Sequence, residues 1–197
     1  MQTAIRDGER RISLVNSGRR VWLFDDSHRE LIQRSGAMYF GAPGADVRFR
    51  AVAKDGLLLG YDIDREEDLD LSVMVGPPLR DQELEHGRWF EPQHGWLRLP
   101  SGVFCINSDD TVLAEIWRAG ESGVRIDVSP GNYLVSVYRI NHRAYAREGR
   151  VWRGPHEVVV LTRGGTSLNG VPFVLPFPGL ATLSRRDEGV ERRSVAT

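Results

Sequence analysis

The segment Val124–Tyr138 constrains the fold of this chain more than any other feature. Apolar and polar residues alternate on both sides of Pro130-Gly131-Asn132, and the apolar positions are Val124, Ile126, Val128, Tyr133, Val135 and Val137. Alternation with a period of two is typical of half-buried strands, and Pro, Gly and Asn favour a tight turn. The segment therefore predicts a β-hairpin.

Turn signals like this one recur along residues 11–163, about every 8–12 residues, which is the spacing of an antiparallel sandwich or barrel. We predict a mainly β fold, an antiparallel β-sandwich with one or two short helices and an extended C-terminal arm. The alternative is an α+β fold, if residues 26–40 or 140–150 form longer helices.

Individual elements follow from local patterns. We predict a short helix at His28–Arg34, capped by Asp25-Asp26-Ser27 and ended by Gly36. The predicted strands lie on both sides of Asn16-Ser17-Gly18 within Arg11–Phe24, and at Asp46–Val52 and Leu57–Ile63 (paired as a hairpin), Leu69–Val75, Asp109–Trp117 and Glu157–Thr162. Trp96–Ile106 is predicted as a strand pair interrupted at Pro100-Ser101-Gly102.

The chain divides into three parts by composition. Residues 1–10 are polar and predict a flexible N-terminus, residues 11–163 form the sandwich, and residues 164–197 form an arm and a charged, disordered tail. Within the arm, Leu168–Leu183 is apolar but broken by three prolines, which excludes a helix. An apolar arm of this kind must cover either its own sheet edge or that of a neighbour, so we also expect a dimer contact there.

Charge and cysteine content indicate a cytoplasmic bacterial protein. The 197 residues carry a formal net charge of −1 and include one cysteine, Cys105, which lies in an apolar run and predicts a buried thiol. No apolar segment has the length of a membrane span, and residues 1–7 lack the apolar region of a signal peptide.

Motifs for catalysis and cofactor binding are absent from the sequence. There is no H-E-x-x-H, G-x-S-x-G or phosphate-binding P-loop, so we predict no catalytic residue and no cofactor. His86 and His94 share a loop with Glu83, Glu85 and Glu91, which is the one arrangement that suggests a metal site. Their spacing is that of an ordinary polar loop, and we predict no metal there.

The acidic segment Asp62–Asp70 holds the strongest charge cluster. Its carboxylates are Asp62, Asp64, Glu66, Glu67, Asp68 and Asp70. It does not fit a calcium loop, because Glu67 stands where the sharp turn requires glycine. The alternatives are the solvated rim of two strands and a patch that docks on a basic protein surface.

Two further segments suggest a partner. Trp89-Phe90 lies in the charged loop Arg80–His94, where an aromatic pair is either a binding hot spot or an anchor of the loop to the core. A basic stretch with interleaved aromatics, Arg139–Arg153, could follow single-stranded nucleic acid. Because Glu148 and Glu157 interrupt it, we expect an arginine-rich connecting segment and no nucleic-acid partner.

Two segments carry a resemblance. Gly95–Ile106 is followed by Val124–Val135, with an apolar-x-apolar-x-Pro-x-Gly-x-Tyr hairpin after a strand that ends in a small-residue turn. This order resembles the DNA-entry nuclease inhibitor family (competence protein J-like) over most of residues 11–162. The resemblance implies a β-sandwich that binds and blocks a nuclease and has no catalysis of its own.

The leading hypothesis is therefore a non-enzymatic protein that inhibits a partner protein, such as a nuclease, in the manner of an immunity protein. The predicted contact residues are Asp62, Asp64, Glu66, Glu67, Asp68, Trp89 and Phe90. Two alternatives stay open. One is a small-ligand binder or metal-dependent enzyme of β-barrel type, using His86 and His94, or Arg139 and Arg143 for an anion. The other is a structural subunit of a phage or secretion system.

Overall fold

A computed structural model describes residues 9–14, 20–36, 44–63, 69–80, 84, 88–107, 123–149, 151–164 and 174–175. Within these ranges, ten strands form two five-stranded sheets that pack face to face. The predicted mainly β sandwich is confirmed. Each sheet also contains one parallel pairing, β4 with β9 and β10 with β3, so the sandwich is mixed and not purely antiparallel.

Sheet I has the order β1-β4-β9-β8-β5. Its strands are β1 (Arg10–Leu14), β4 (Leu69–Val75), β5 (Gln93–Leu99), β8 (Gly131–Arg139) and β9 (Glu157–Arg163). Sheet II has the order β10-β3-β2-β6-β7. Its strands are β2 (Arg20–Asp25), β3 (Leu58–Asp62), β6 (Val103–Asn107), β7 (Val124–Asp127) and β10 (Val174–Leu175).

Three α-helices lie within the described residues, where one or two were expected. They are α1 (Arg29–Ser35), α2 (Ala45–Lys54) and α3 (His142–Arg147), and a 3-10 turn at Asp26–His28 leads into α1. The helix predicted at His28–Arg34 is confirmed, and it ends at Gly36 as predicted. The Asp25 carboxylate caps the 3-10 turn by accepting a hydrogen bond from the Ser27 N–H.

The strand predicted at Asp46–Val52 is wrong, because these residues belong to α2. The alternation of Val47, Phe49 and Ala51 suggested a strand, but Val47 is 72% exposed. The buried residues are Phe49, Val52 and Ala53, at the spacing of one helical face. The hairpin predicted between this segment and β3 is therefore replaced by a helix that leads into a strand.

Apolar side chains fill the space between the two sheets. Sheet II contributes Val21, Leu23, Leu59, Phe104 and Ile106, and sheet I contributes Leu71, Leu97, Val135, Val159 and Leu161, among others. The outer face of sheet II, with Trp22 and Phe24, is covered by α1 and α2. On the outer face of sheet I, Met74, Tyr138, Val158 and Val160 pack against Leu79, Leu84 and Trp89.

The hairpin predicted at Val124–Tyr138 is correct in its two strands and wrong in their pairing. β7 pairs with β6 in sheet II, whereas β8 pairs with β5 and β9 in sheet I. The turn at Pro130 therefore carries the chain from one sheet to the other. The predicted pair around Pro100-Ser101-Gly102 is corrected in the same way, because β5 and β6 also belong to different sheets.

These two crossings, which we call the arches, lie side by side at one end of the sandwich, the arch end. The Val128 N–H donates to the Gly102 carbonyl at 2.8 Å. Gly102 has φ +73°, and a Cβ there would lie 2.6 Å from the Val128 carbonyl oxygen. A second hydrogen bond fixes the arch at Ser101, whose N–H donates to the Asp25 carboxylate at 3.1 Å. Glycine is required where the arches meet.

Some predictions fall on residues outside the described ranges. They include the strand at Asp109–Trp117, the tail beyond residue 183 and most of the arm at Leu168–Leu183. Of the arm, Val174 and Leu175 are described, and they pair in parallel with Gly60 and Tyr61 of β3 in the same chain. A dimer contact through the arm stays a prediction.

Candidate functional site

The acidic segment Asp62–Asp70 joins the two sheets at the end opposite the arches. It leaves sheet II at Asp62, where β3 pairs with Arg20 of β2, and enters sheet I at Leu69, where β4 pairs with β1. We call this the acidic end. The predicted contact residues Asp64, Glu66, Glu67 and Asp68 lie outside the described residues, as does the side chain of Asp62.

A buried charged network lies at the acidic end of the sandwich, next to the residue that precedes this segment. Glu157, at the start of β9, accepts hydrogen bonds from Tyr61 Oη at 2.7 Å and from Arg139 Nε at 2.7 Å. The Arg139 Nη2 also donates to the same carboxylate oxygen as Nε. Tyr61 belongs to sheet II and Glu157 to sheet I, so the network ties the two sheets together.

The network is removed from solvent. Tyr61 is 0% exposed, Glu157 1% and Arg139 7%. Burial, and then the adjacent Glu157 charge, raise the pKa of Tyr61 well above its ordinary value. Both oxygens of Glu157 are engaged, one by Arg139 and one by Tyr61. This arrangement holds the carboxylate in place as a structural tie, because removing either partner would leave a buried charge poorly compensated.

The other end of the acidic segment is fastened by His156. The His156 N–H donates to the Asp70 carbonyl at 2.7 Å, and the Asp70 N–H donates to His156 Nδ1 at 3.3 Å. The ring of His142, the first residue of α3, contacts the His156 ring edge to face at 5.1 Å. Both attachment points of the segment, next to Tyr61 and at Asp70, are therefore held by contacts from sheet I.

Trp89 is half-buried and packs on the outer face of sheet I. Its ring meets the Trp152 ring edge to face at 5.7 Å, and its backbone forms an isolated β-bridge with Ile140. Phe90 is also half-buried, and its N–H donates to the Arg139 carbonyl at 3.0 Å. These contacts place the aromatic pair beside β8 at the acidic end. Its role in binding a partner stays a prediction.

The basic stretch Arg139–Arg153 does not form one surface. Arg139 points into the core, and Tyr145 of α3 is 4% exposed. Arg88 lies over the Tyr145 ring at 5.2 Å and pairs with Glu148 at 2.8 Å. The aromatic residues Tyr145 and Trp152 therefore attach α3 and its flanking loop to sheet I, whereas the other described arginines of the stretch are exposed.

Of the two histidines considered for a metal site, the structure describes one. His86 lies outside the described residues, and His94 Nδ1 is 2.8 Å from Ser136 Oγ. Burial lowers the pKa of His94, and Glu91 partly opposes this effect. Across the described ranges, no group of three His, Cys, Asp or Glu side chains converges as metal ligands would.

Cys105 is a buried free thiol, as predicted. Burial, and then the charge of Asp26, raise the pKa of the thiol to about 12. A cysteine with so high a pKa holds little thiolate at neutral pH and is a poor nucleophile.

Sequence reasoning missed the Tyr61–Glu157–Arg139 network, although the sequence carries a signal for it. Along β9, Glu157 alternates in step with Val159 and Leu161, whose side chains point between the sheets. Along β8, Arg139 alternates in the same way with Val135 and Val137. A charged residue at an inward position of an apolar strand requires a buried partner. The signal predicts that a partner exists, but only the fold brings the Tyr61 hydroxyl, 96 residues away, to Glu157.

None of the helices in the described ranges has the length and apolar character needed to cross a membrane. No protein-family model matches the chain. No curated protein matches it.

Among solved structures, one described as "Crocagin biosynthetic gene J" matches with a TM-score of 0.49 and 14% identity, over 80% of this chain and 97% of that one. Another is ComJ from Bacillus subtilis, described as the inhibitor of the DNA degrading activity of NucA. It matches with a TM-score of 0.45 and 8% identity, over 78% of this chain and 95% of that one. The second match agrees with the resemblance stated from the sequence.

Proposed function

We propose that this chain is a non-enzymatic binding protein that inhibits a partner protein, and that the partner is a nuclease. The acidic segment Asp62–Asp70, with Trp89 and Phe90 beside it, is the proposed contact. A nuclease must attract DNA with a basic surface, and a clustered acidic segment is complementary to such a surface. An immunity-like role in the bacterial cytoplasm follows from this proposal.

The observation that carries the proposal is the attachment of the acidic segment. Its first end follows Tyr61, which is bonded to Glu157, and its last residue, Asp70, is bonded twice to His156. A charged segment attached to a rigid support loses less conformational entropy on binding than a free loop. Both ends of the segment are thus attached at one end of the sandwich, and this supports the proposal that its carboxylates form the contact there.

The filled interior supports a surface function over an internal site. Eighteen buried residues of both sheets form one cluster in the space where a sandwich or barrel would hold a small ligand. The charged network in that space is engaged within itself. A binding surface at the acidic end therefore fits the fold better than a ligand site between the sheets.

The test is inhibition of a nuclease encoded by a neighbouring gene. DNA degradation is measured while the chain is titrated, for the wild type and for Glu66→Lys/Glu67→Lys. Reversing two charges should weaken inhibition at least about tenfold, which corresponds to roughly 1.4 kcal/mol. A neighbouring nuclease that the wild-type chain does not slow would overturn the inhibitor proposal.

The matched control reverses two carboxylates at the arch end. Asp55 and Asp127 are exposed and lie at the arch ends of β3 and β7. Asp55→Lys/Asp127→Lys changes the net charge by the same amount and should alter inhibition by no more than about twofold, because screening weakens charges beyond roughly 10 Å. Equal losses in the two double variants would show that net charge matters and the acidic segment does not.

Phe90→Ala tests the aromatic part of the proposed contact. Trp89 packs into the cluster on sheet I, so its removal would also affect folding. Phe90 is also half-buried, but its side chain is not among the described residues that pack into this cluster. We expect Phe90→Ala to weaken inhibition by about 1–2 kcal/mol with little change in thermal stability. Unchanged inhibition would remove Phe90 from the contact.

A further inference from the structure

The edge of sheet II at β3 differs from the other sheet edges in the described residues. The edge strands β1, β5 and β7 carry exposed charged residues, among them Arg11, Arg98, Arg125 and Asp127. Such charges protect sheet edges against pairing with other chains. In β3, the four residues Leu58–Tyr61 are all uncharged and buried, and the charged residue Asp62 stands only at the end of the strand.

β3 lacks protection of its own because both of its faces are packed. Tyr61 reaches Glu157 on the inner side, and the Trp22 ring lies so close to Gly60 that a Cβ there would meet it at 2.7 Å. Leu58 and Leu59 belong to the two clusters on opposite faces of sheet II. A strand of this composition with a free edge would be a template for strand addition.

The C-terminal arm occupies this edge. Val174 pairs in parallel with Gly60, and Leu175 pairs with Tyr61. In the sequence, Pro172 precedes this pair and Pro176 follows it. Proline cannot donate to a strand ladder, so the prolines limit how far the pairing can extend and stop further strands from adding outside it.

We propose that the β3 edge is a strand-acceptor site whose occupant is the chain's own strand β10 (Val174–Leu175), held in cis and exchangeable. Because Pro172 and Pro176 limit the length of the pairing, the arm can be displaced, and the apolar sequence V-P-F-V-L-P-F defines what the site accepts, an extended apolar strand bounded by prolines. The site adjoins the acidic segment at Asp62, but its occupant pairs with the backbone of β3, so the proposal does not depend on the proposed function.

The experiment uses the full chain and a labelled peptide of residues 169–179. In Val174→Pro/Leu175→Pro, the arm keeps its apolar composition but loses both backbone donors, so the edge becomes free. Occupancy in cis reduces apparent affinity for the peptide in proportion to the free fraction of sites. We expect the double variant to bind the peptide at least about tenfold more tightly than the wild type.

Two controls complete the test. A peptide with the same two prolines should not bind, and amide exchange in β3 should be faster in the double variant than in the wild type. Equal peptide binding by wild type and double variant, or binding by neither, would overturn the proposal. A wild-type dimer that the double variant converts into a monomer would overturn the cis assignment, because the arm would then be exchanged between two copies.

Discussion

The two ends of this sandwich are stabilised by different kinds of contact. At the arch end, backbone hydrogen bonds and the buried Asp25 carboxylate hold two adjacent crossings in place, with Gly102 at their point of contact. At the acidic end, a buried ion pair and a tyrosine join the two sheets. The comparison shows that one end depends on close approach of the backbone and the other on a charged network between the sheets.

Each end contains a tyrosine that shows the difference. At the arch end, the Tyr133 hydroxyl donates to the Ser129 carbonyl, a neutral acceptor in the same arch. At the acidic end, the Tyr61 hydroxyl donates to the Glu157 carboxylate, a charged acceptor in the opposite sheet. Hydrogen bonds to charged groups contribute more to stability than neutral ones, so the Tyr61 hydroxyl should contribute more to stability than the Tyr133 hydroxyl.

The largest expected effect is at Glu157. Glu157→Ala would leave the Arg139 guanidinium buried without its carboxylate and should lower the free energy of unfolding by about 3–5 kcal/mol. Denaturant unfolding measures the loss. The control is Arg139→Met/Glu157→Leu, which removes both charges and should recover most of it. A loss below about 1 kcal/mol in the single variant would mean that the ion pair does not tie the sheets together.

Alanine substitution of three glycines, one of them at the arch end, separates the cost of steric overlap from the cost of backbone strain. Gly102→Ala should cost about 3 kcal/mol, because its Cβ would overlap the Val128 carbonyl and its φ is +73°. Gly149 has φ +66° and open space around it, so Gly149→Ala should cost about 1 kcal/mol. Gly76→Ala, with open space and no positive φ, should be near neutral. Thermal denaturation of the three variants measures these costs. A Gly102→Ala variant that loses no more stability than Gly149→Ala would contradict the packing of the arches.

The tyrosine pair gives the next effect. Tyr61→Phe should cost about 1.5–3 kcal/mol, and Tyr133→Phe should cost about 1 kcal/mol, because the first removes a bond to a charge and the second a bond to a neutral carbonyl. Both variants keep the aromatic ring, so each is the control for the other. Equal losses would contradict the difference between the two ends.

The pH dependence of stability also distinguishes Tyr61 at the acidic end from Tyr133 at the arch end. The pKa of Tyr61 is raised in the folded chain, so the folded state keeps the phenol proton where the unfolded state loses it, above about pH 10. The stability linked to this proton is complete below pH 10 and decreases as pH rises further, by up to about 1.4 kcal/mol per unit. Tyr61→Phe should therefore show a shallower decrease between pH 10 and 11 than the wild type and Tyr133→Phe. Parallel curves would contradict the shift.

Local patterns predicted strands well where the buried face is regular. β4 begins and ends at the predicted Leu69 and Val75, because its apolar alternation continues to the turn at Gly76. The same criterion failed at Asp46–Val52, because so short a run of residues fits the period of a strand and that of a helix equally well. The segment is a helix, whose residues Phe49, Val52 and Ala53 pack into the core.

Pairing and the buried network could not be obtained from sequence. Turn chemistry at Pro130 shows that the chain reverses, but it does not show which sheets the flanking strands join, and β7 and β8 belong to different ones. Likewise, Glu157 could be recognised as an inward charge, whereas its contact with Tyr61 depends on how the two sheets pack. Long-range contacts are properties of the whole fold.

The most direct test of the account is the association rate with the inhibited nuclease as a function of salt. Electrostatic steering should make this rate fall steeply with ionic strength for the wild type and for Asp55→Lys/Asp127→Lys. For Glu66→Lys/Glu67→Lys, we expect an association rate at least about tenfold lower at low salt, with a much weaker dependence on ionic strength. Identical rates and salt dependence in the two double variants would contradict the claim that the acidic end is the contact surface.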